Sequence, residues 1–155
     1  MNSNGTDVLI IGAGISGLLC ATELQRQGYS VCLLDKGRGV GGRMTTRRMQ
    51  GARLDHGAQF FTARDSRFQA YIDEWMDAGI VREWFRHLPG ESEGPGHPRY
   101  CGVGGMNAVP KFLARNLDVH CTERVNCLVR NIDHWVAQTE SGDSFRADQL
   151  IVTTP

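Results

Sequence analysis

Three glycines, Gly12, Gly14 and Gly17, follow the apolar run Asp7 to Ile11 in the segment DVLIIGAGISG. At this spacing each has a separate task. Gly12 allows a tight turn, Gly14 lets the backbone approach a ligand with no Cβ in the way, and Gly17 lets a following helix pack closely on a sheet. A helix starting here directs free N–H groups and the positive end of its dipole at whatever lies over the turn, which suits a phosphate. Asp35 falls about 20 residues after the glycines, where a carboxylate accepts hydrogen bonds from ribose hydroxyls. Together the glycines and the acid describe a cradle for a dinucleotide. A glycine-rich turn in an unrelated α/β domain would account for the glycines but not for Asp35.

The elements that must position these residues are written in the hydrophobic pattern. Asp7 to Ile11 reads as a buried parallel strand, and Ile15 to Gln27 as a helix with Ile15, Leu18, Leu19 and Thr22 on one stripe. Gly28 sits where a helix-ending glycine belongs, and Ser30 to Leu34 forms a second strand that delivers Asp35. The run K-G-R-G-V-G-G-R-M-T-T-R-R from Lys36 is basic and glycine-rich, so it suits an anion. Arg43 can make a bidentate contact to a phosphate while Gly41 and Gly42 turn backbone N–H groups toward the same ligand. Arg47, Arg48 and Arg53 read as solvated loop charges.

Downstream, Ser66 to Ala78 carries Phe68, Tyr71, Ile72, Trp75 and Met76 at helical spacing, with Asp65 or Ser66 to cap it and Gly79 to end it. That aromatic stripe reads as core. A short strand over Ile80 to Phe85 precedes a polar Gly/Pro loop, LPGESEGPGHPR. Asn107 caps a helix over Ala108 to Asn116, with Val109, Phe112 and Leu113 toward the sheet and Pro110 in its first turn. Asp118 to Cys121 supplies a third parallel strand, and Val125 to Val129 and His134 to Thr139 alternate like antiparallel ones. Ser141-Gly142-Asp143 turns the chain into Ser144 to Arg146, and Asp148 to Thr153 returns to the sheet.

Composition narrows the function classes. With 155 residues, 41% hydrophobic, and 17 basic against 17 acidic residues, the chain can bury one core and has no net charge to attract nucleic acid or anionic membranes. No apolar run approaches the ~20 residues of a membrane helix, and MNSNGTD does not read as a signal peptide, so a cytoplasmic location is expected. The five cysteines show no C-x-x-C pairing and no zinc-like spacing with histidine, which points to reduced thiols and no metal. Cys20 and Cys32 read as small buried hydrophobes. The five histidines are scattered; His56 stands out only by adjoining Gly57, and a structural role is the reading taken for it. Asp55 likewise reads as a turn-capping acid rather than a proton-transfer group.

The runs DKGRGVGGRMTT (35 to 46) and LDHGAQFFTARD (54 to 65) resemble the flavin-dependent amine oxidase superfamily, and GGRMTT and GAQFFT resemble its renalase-like branch. The likeness extends through RYCGVGGMNAVPKFLARNL and the strands that follow it, to the end of the chain. It implies an α/β fold: a Rossmann-like FAD-binding domain with a parallel sheet and a β-meander, interrupted by part of a substrate-binding α+β domain. The implied segments are 1–63 and 101–155 for the FAD-binding domain and 64–100 for the insertion. These 155 residues are then expected to be the N-terminal part of a roughly twofold longer enzyme.

The resemblance also implies noncovalent FAD. Gly12, Ala13, Gly14, Ser16 and Gly17 would lie at the pyrophosphate, Asp35 on the adenosine ribose, and Lys36, Gly42, Arg43 and Met44 beside the same moiety. Gly57, Ala58 and Gln59 would address the isoalloxazine, and the Val125 main chain the adenine. No catalytic acid or base is assigned, because flavin carries the hydride chemistry and the protein has only to hold the donor carbon against it. Three readings stay open. One is a renalase-like oxidase that takes a hydride from isomeric dihydronicotinamides of NAD(P)H and gives hydrogen peroxide from oxygen. The second is an amine oxidase or dehydrogenase on a small amine, and the third a truncated, non-catalytic dinucleotide-binding module.

Overall fold

The computed structural model describes residues 5–87, 90 and 94–155, so part of the polar Gly/Pro loop and the first four residues lie outside the described residues. In chain order the elements are β1 (Thr6–Ile11), α1 (Ile15–Arg26), β2 (Val31–Asp35), β3 (Thr46–Met49), β4 (Ala52–Asp55), α2 (Ser66–Asp77), β5 (Val81–Phe85) and β6 (Arg99–Gly102). Then come α3 (Ala108–Leu113), a 3-10 turn (Ala114–Asn116), β7 (Asp118–Cys121), β8 (Val125–Arg130), β9 (Trp135–Thr139) and β10 (Ser144–Val152). They form two compact units: Met1–Gly42 with Leu113–Pro155, and Arg43–Phe112, which interrupts the first in sequence.

The first unit is built on a sheet in the order β7-β2-β1-β10-β9-β8. Strands β7, β2, β1 and β10 run parallel, and β9 and β8 continue the sheet as an antiparallel meander. The continuous apolar runs of β1 and β2 follow from their central place, since a parallel strand covered on both faces has no polar side. Val8, Leu9 and Ile10 are buried, as are Cys32, Leu33 and Leu34 beside them. On one face Leu9, Cys32 and Leu34 form a cluster with Ala137 and Ala147, to which Ile11, Val125, Phe145 and Leu150 are added. The register of β1 and β2 is set at their starts: Asp7 Oδ2 accepts from the Ser30 amide and hydroxyl, each at 2.7 Å, and the Asp7 amide donates to Ser30 Oγ at 2.9 Å.

Helix α1 buries Gly17, Leu18 and Ala21. The expected stripe of Ile15, Leu18, Leu19 and Thr22 shares only Leu18 with this face, the other three being half-buried; the buried face is turned toward Gly17 because the absent side chain there permits the closest approach. Gly28 ends the helix with a φ of +91°, the left-handed conformation that glycine adopts freely. A second difference concerns β10, where two segments were expected and one nine-residue strand forms. Arg146 and Asp148 interrupt the apolar pattern there. Buried Ala147 between them pairs with Trp135 on one side and Thr6 on the other, so a single strand changes from an antiparallel to a parallel neighbour without a break.

The second unit contains two features that periodicity did not predict. Strands β3 and β4 form a hairpin whose turn, Gln50-Gly51, has φ values of +47° and +83°, the two positive angles that match a two-residue turn to strand twist. Most of its side chains are exposed, so it carries no apolar alternation to read. Strand β6 pairs with β5 and is also bridged to Phe61 through Tyr100. Around buried Trp75 on α2 lie Phe61, Phe68 and Tyr71, with ring centroids 6.2, 6.0 and 5.8 Å away, and Ile72 is buried beside it, so the stripe is core as expected except for Met76, which faces solvent at the end of the helix. Helix α3 ends at Leu113, three residues early, and tightens into the 3-10 turn. Among the described residues no helix is long and apolar enough to cross a membrane.

Asp65 caps α2 by accepting from the Arg67 amide at 2.8 Å, and its carboxylate also receives the Arg67 guanidinium at 3.0 and 2.7 Å. These Arg67 hydrogen bonds hold the Asp65 carboxyl down at about 2, from an ordinary 3.8. Because the folded value is the lower one, the cap is fully formed above pH ~4 and is lost as pH falls toward 2. An NMR titration of the Asp65 carboxyl carbon is expected to inflect near 2, and Arg67→Ala to move the inflection upward; an unshifted titration in the parent chain contradicts the pairing.

Candidate functional site

At the end of β1 the chain must turn sharply enough to start α1 almost at once. Gly12 does so with a φ of +107°, its amide donating to Leu34 O at 2.8 Å. A Cβ on Gly12 would stand 2.8 Å from Thr153 Oγ1, and one on Gly17 only 2.0 Å from Gly12 O. Gly14 differs, since a Cβ there meets nothing within 4 Å. It is the N-cap of α1, has no side-chain capping bond, and is followed by a first turn with no acidic residue. Two glycines are therefore required by packing and one faces open space beside uncompensated helix N–H groups, with exposed Ser16 in the first turn.

Asp35 is held by the backbone on both sides. Its Oδ2 accepts from the Ala13 amide and its Oδ1 from the Gly37 amide, each at 2.7 Å. The carboxylate is thereby fixed beside the glycine turn, and each oxygen keeps a further lone pair for an incoming hydroxyl. The loop after β2 returns over the same turn: the Gly41 amide donates to Ala13 O at 2.9 Å, Gly41 bridges Gly14, and a Cβ on Gly42 would lie 3.5 Å from Gly14 Cα. From the far side of β2, the Glu123 amide donates to Asp35 O at 2.9 Å and the Thr122 amide to Gly37 O at 2.8 Å. This places Val125, half-buried at the start of β8, two residues beyond the Asp35 contact. Lys36 is exposed on the loop.

Thr153 is a member of this site that sequence reading did not single out. Its amide donates to Ile11 O at 2.9 Å, and its hydroxyl reaches Ile11 O and Gly12 O, both at 3.1 Å. It satisfies carbonyls that the turn leaves behind. A threonine after a strand gives no periodic signal of such a task.

In the second unit, Arg43, Gly57 and Ala58 meet through the main chain. The Ala58 amide donates to Arg43 O at 2.8 Å, and a Cβ on Gly57 would be 2.0 Å from that oxygen. The Arg43 side chain is exposed, Met44 is buried and Gln59 is exposed. Asp55 has the structural task expected of it: its Oδ1 accepts from the Thr46 hydroxyl at 2.5 Å and the Met106 amide at 3.0 Å, while Thr46 Oγ1 accepts from the Asn107 amide at 3.1 Å. His56 is exposed, with Nε2 3.2 Å from Thr45 Oγ1. Arg53, expected to be merely solvated, donates to Gly104 O at 3.1 Å. All five cysteines are free; Cys32 is buried as expected and Cys20 half-buried.

Comparison with known proteins accords with this geometry. The family model for the NAD(P)-binding Rossmann-like domain matches residues 10–75, and that for flavin containing amine oxidoreductase matches residues 78–155. Mouse (Mus musculus) renalase is 26% identical over 96% of this chain and 46% of its own length. Putrescine oxidase of Kocuria rosea is 35% identical over 64% of this chain and 20% of its own. The solved structure of wild-type putrescine oxidase bound to putrescine superposes with a TM-score of 0.78 at 17% identity, covering 98% of this chain and 58% of that one, which is a likeness of fold. The chain spans less than half the length of both curated relatives.

The glycines separate fold from ligand. Gly17→Ala is expected to cost about 1–3 kcal/mol in a urea unfolding experiment, because its Cβ must displace backbone. Gly14→Ala is expected to change stability by less than about 1 kcal/mol. Equal costs would mean that the space over Gly14 is filled by protein.

Proposed function

The chain belongs to the flavin containing amine oxidoreductase family, and from that premise we propose that it forms the dinucleotide-binding part of an FAD-dependent oxidase of renalase type. The observation that carries this reading is the open space over Gly14, bounded by uncapped helix N–H groups and by an Asp35 carboxylate fixed 2.7 Å from the Ala13 amide. The free N–H donors and the fixed carboxylate acceptor suit a pyrophosphate with an adjoining ribose.

In this reading the α1 N-terminus, with Gly12, Ala13, Gly14, Ser16 and Gly17, binds the pyrophosphate, and Asp35 orients the adenosine ribose. Lys36 and Arg43 neutralise phosphate charge, Gly42 and Met44 flank the same moiety, and the Val125 main chain meets the adenine. Gly57 and Ala58 present backbone, and Gln59 a side-chain amide, to the isoalloxazine. Residues 1–63 and 101–155 are assigned to the FAD-binding domain and 64–100 to part of an inserted substrate-binding domain. The chemistry FAD supplies when bound is hydride acceptance at N5 and passage of the electrons to oxygen, which leaves as hydrogen peroxide. For the donor we propose a dihydronicotinamide isomer of NAD(P)H, on the renalase-like runs GGRMTT and GAQFFT and on the likeness to renalase along 96% of the chain. A cytoplasmic location suits the five free thiols. The second reading, oxidation of a small amine, is favoured by the 35% identity to putrescine oxidase over 102 residues.

The test is an absorbance spectrum of the full-length protein as purified, followed by anaerobic addition of dihydronicotinamide isomers, NADH and simple amines. Bleaching of the flavin band by a dihydro isomer alone supports the proposal. Bleaching by amines moves the enzyme to the second reading, and protein that takes up no FAD overturns both. Asp35→Ala and Arg43→Ala are each expected to weaken FAD retention roughly tenfold to a hundredfold, the worth of a charge-assisted hydrogen bond. Gly14→Ala is expected to do so while changing stability by less than about 1 kcal/mol; unaltered FAD dissociation in all three would place the cofactor elsewhere.

A further inference from the structure

Cys32 lies 86 positions from Asp118 and 88 from His120 in the chain, too far for any linear ligand motif, yet the sulfur, oxygen and nitrogen atoms of the three all fall within 4.8 Å of one another. The sheet accounts for this. Strand β7 pairs in parallel with β2, placing Asp118 opposite Cys32 and His120 opposite Leu34. Residues 118 and 120, two apart on a strand, point to the same face, and the cross-strand neighbour Cys32 closes the triangle. The His120 ring is steadied edge-on against Phe145, 5.2 Å between centroids, with its Nε2 3.0 Å from Asp118 Oδ1.

From this geometry we infer a site for a borderline-soft divalent cation, zinc in the first instance, held by Cys32 Sγ, His120 Nε2 and an Asp118 oxygen on the β2–β7 edge of the first unit. The donor set disfavours magnesium and calcium, which take oxygen ligands, and one thiolate with one imidazole and one carboxylate suits zinc, for which cobalt(II) is the spectroscopic substitute. Side-chain exposure of 42% at His120 and 66% at Asp118 leaves the fourth position to water, whereas Cys32 is buried, so the metal would sit at the mouth of the cluster with its sulfur ligand beneath. With no cation, the thiol is pushed up to about 12 by burial and by the Asp118 charge beside it. A divalent ion reverses that balance by compensating both the thiolate and the carboxylate, and the thiol proton is released to solvent on binding. The bound ion would join β7 to β2 at Cys32, three residues before Asp35, independently of whether the flavin reading is correct.

The experiment is titration of metal-free, full-length protein with Co(II) and, separately, Zn(II) under reducing conditions. One equivalent of Co(II) is expected to produce a thiolate-to-cobalt charge-transfer band in the near ultraviolet, to be displaced by Zn(II), and to bind more tightly as pH rises. Cys32→Ala should abolish the band, and the exposed substitution His120→Gln should weaken binding roughly tenfold or more while the fold, followed by circular dichroism, is retained. Binding without the band, or equal binding by parent and variants, would indicate an adventitious ion only and overturn the site. Absence of stoichiometric binding would also overturn it, leaving Asp118 as a shared acceptor for the thiol and the imidazole.

Discussion

Everything in the first unit depends on a distance too short for a side chain. A Cβ on Gly17 would lie 2.0 Å from Gly12 O, so helix and strand can approach as they do only if residue 17 is glycine. That approach brings the α1 N-terminus over the end of β1. It also exposes the carbonyls of Ile11 and Gly12 to the Thr153 hydroxyl and the Ala13 amide to Asp35. The turn is therefore the point to which three other segments, residues 35–42, 122–123 and 153, are anchored directly or through Asp35. Its glycines have different causes: conformation at Gly12, contact at Gly17, and open space at Gly14.

The way Asp35 is held shows how a surface acid becomes a fixed acceptor. A free carboxylate at a strand end samples several rotamers, and ordering it costs entropy when a ligand binds. Here two amides from different segments, Ala13 and Gly37, fix both oxygens in advance at 2.7 Å, and the Glu123 amide holds its main-chain oxygen. The acid is thus aligned by the fold before any ligand arrives.

Legibility in the sequence follows burial. Strands β1, β2 and β9 and helix α1 were readable because Val8, Leu9, Ile10, Leu18, Leu33, Leu34 and Ala137 are buried at the periods their elements demand. The β3–β4 hairpin was not, because Arg47, Arg48, Met49 and Leu54 face solvent and nothing buried enforces alternation; only Gln50-Gly51 marked it, and that pair is a weak turn signal. Strand β10 was divided because Arg146 and Asp148 flank the residue at which its pairing changes. Among candidate site residues, the glycines and Asp35 announce themselves by spacing. Thr153 and the Cys32–Asp118–His120 cluster do not, since they depend on strand order, which a pattern of apolar residues does not encode.

Strand direction organises the site as a whole. Strands β7, β2, β1 and β10 are parallel, so their carboxyl ends share one edge, and each ends in a residue or turn that serves the cradle: Cys121 leading to Thr122 and Glu123, then Asp35, then Gly12, then Thr153. An antiparallel neighbour at any of these places would send that residue to the opposite edge. The first change of direction, between β10 and β9, comes only after the fourth parallel strand is in place. Thr153, 141 positions from Gly12 in sequence, is brought within 3.1 Å of its carbonyl because β10 runs beside β1 in the same sense. The convergence of these residues at the carboxyl edge is thus a consequence of parallel pairing, and the open space over Gly14 lies at that edge.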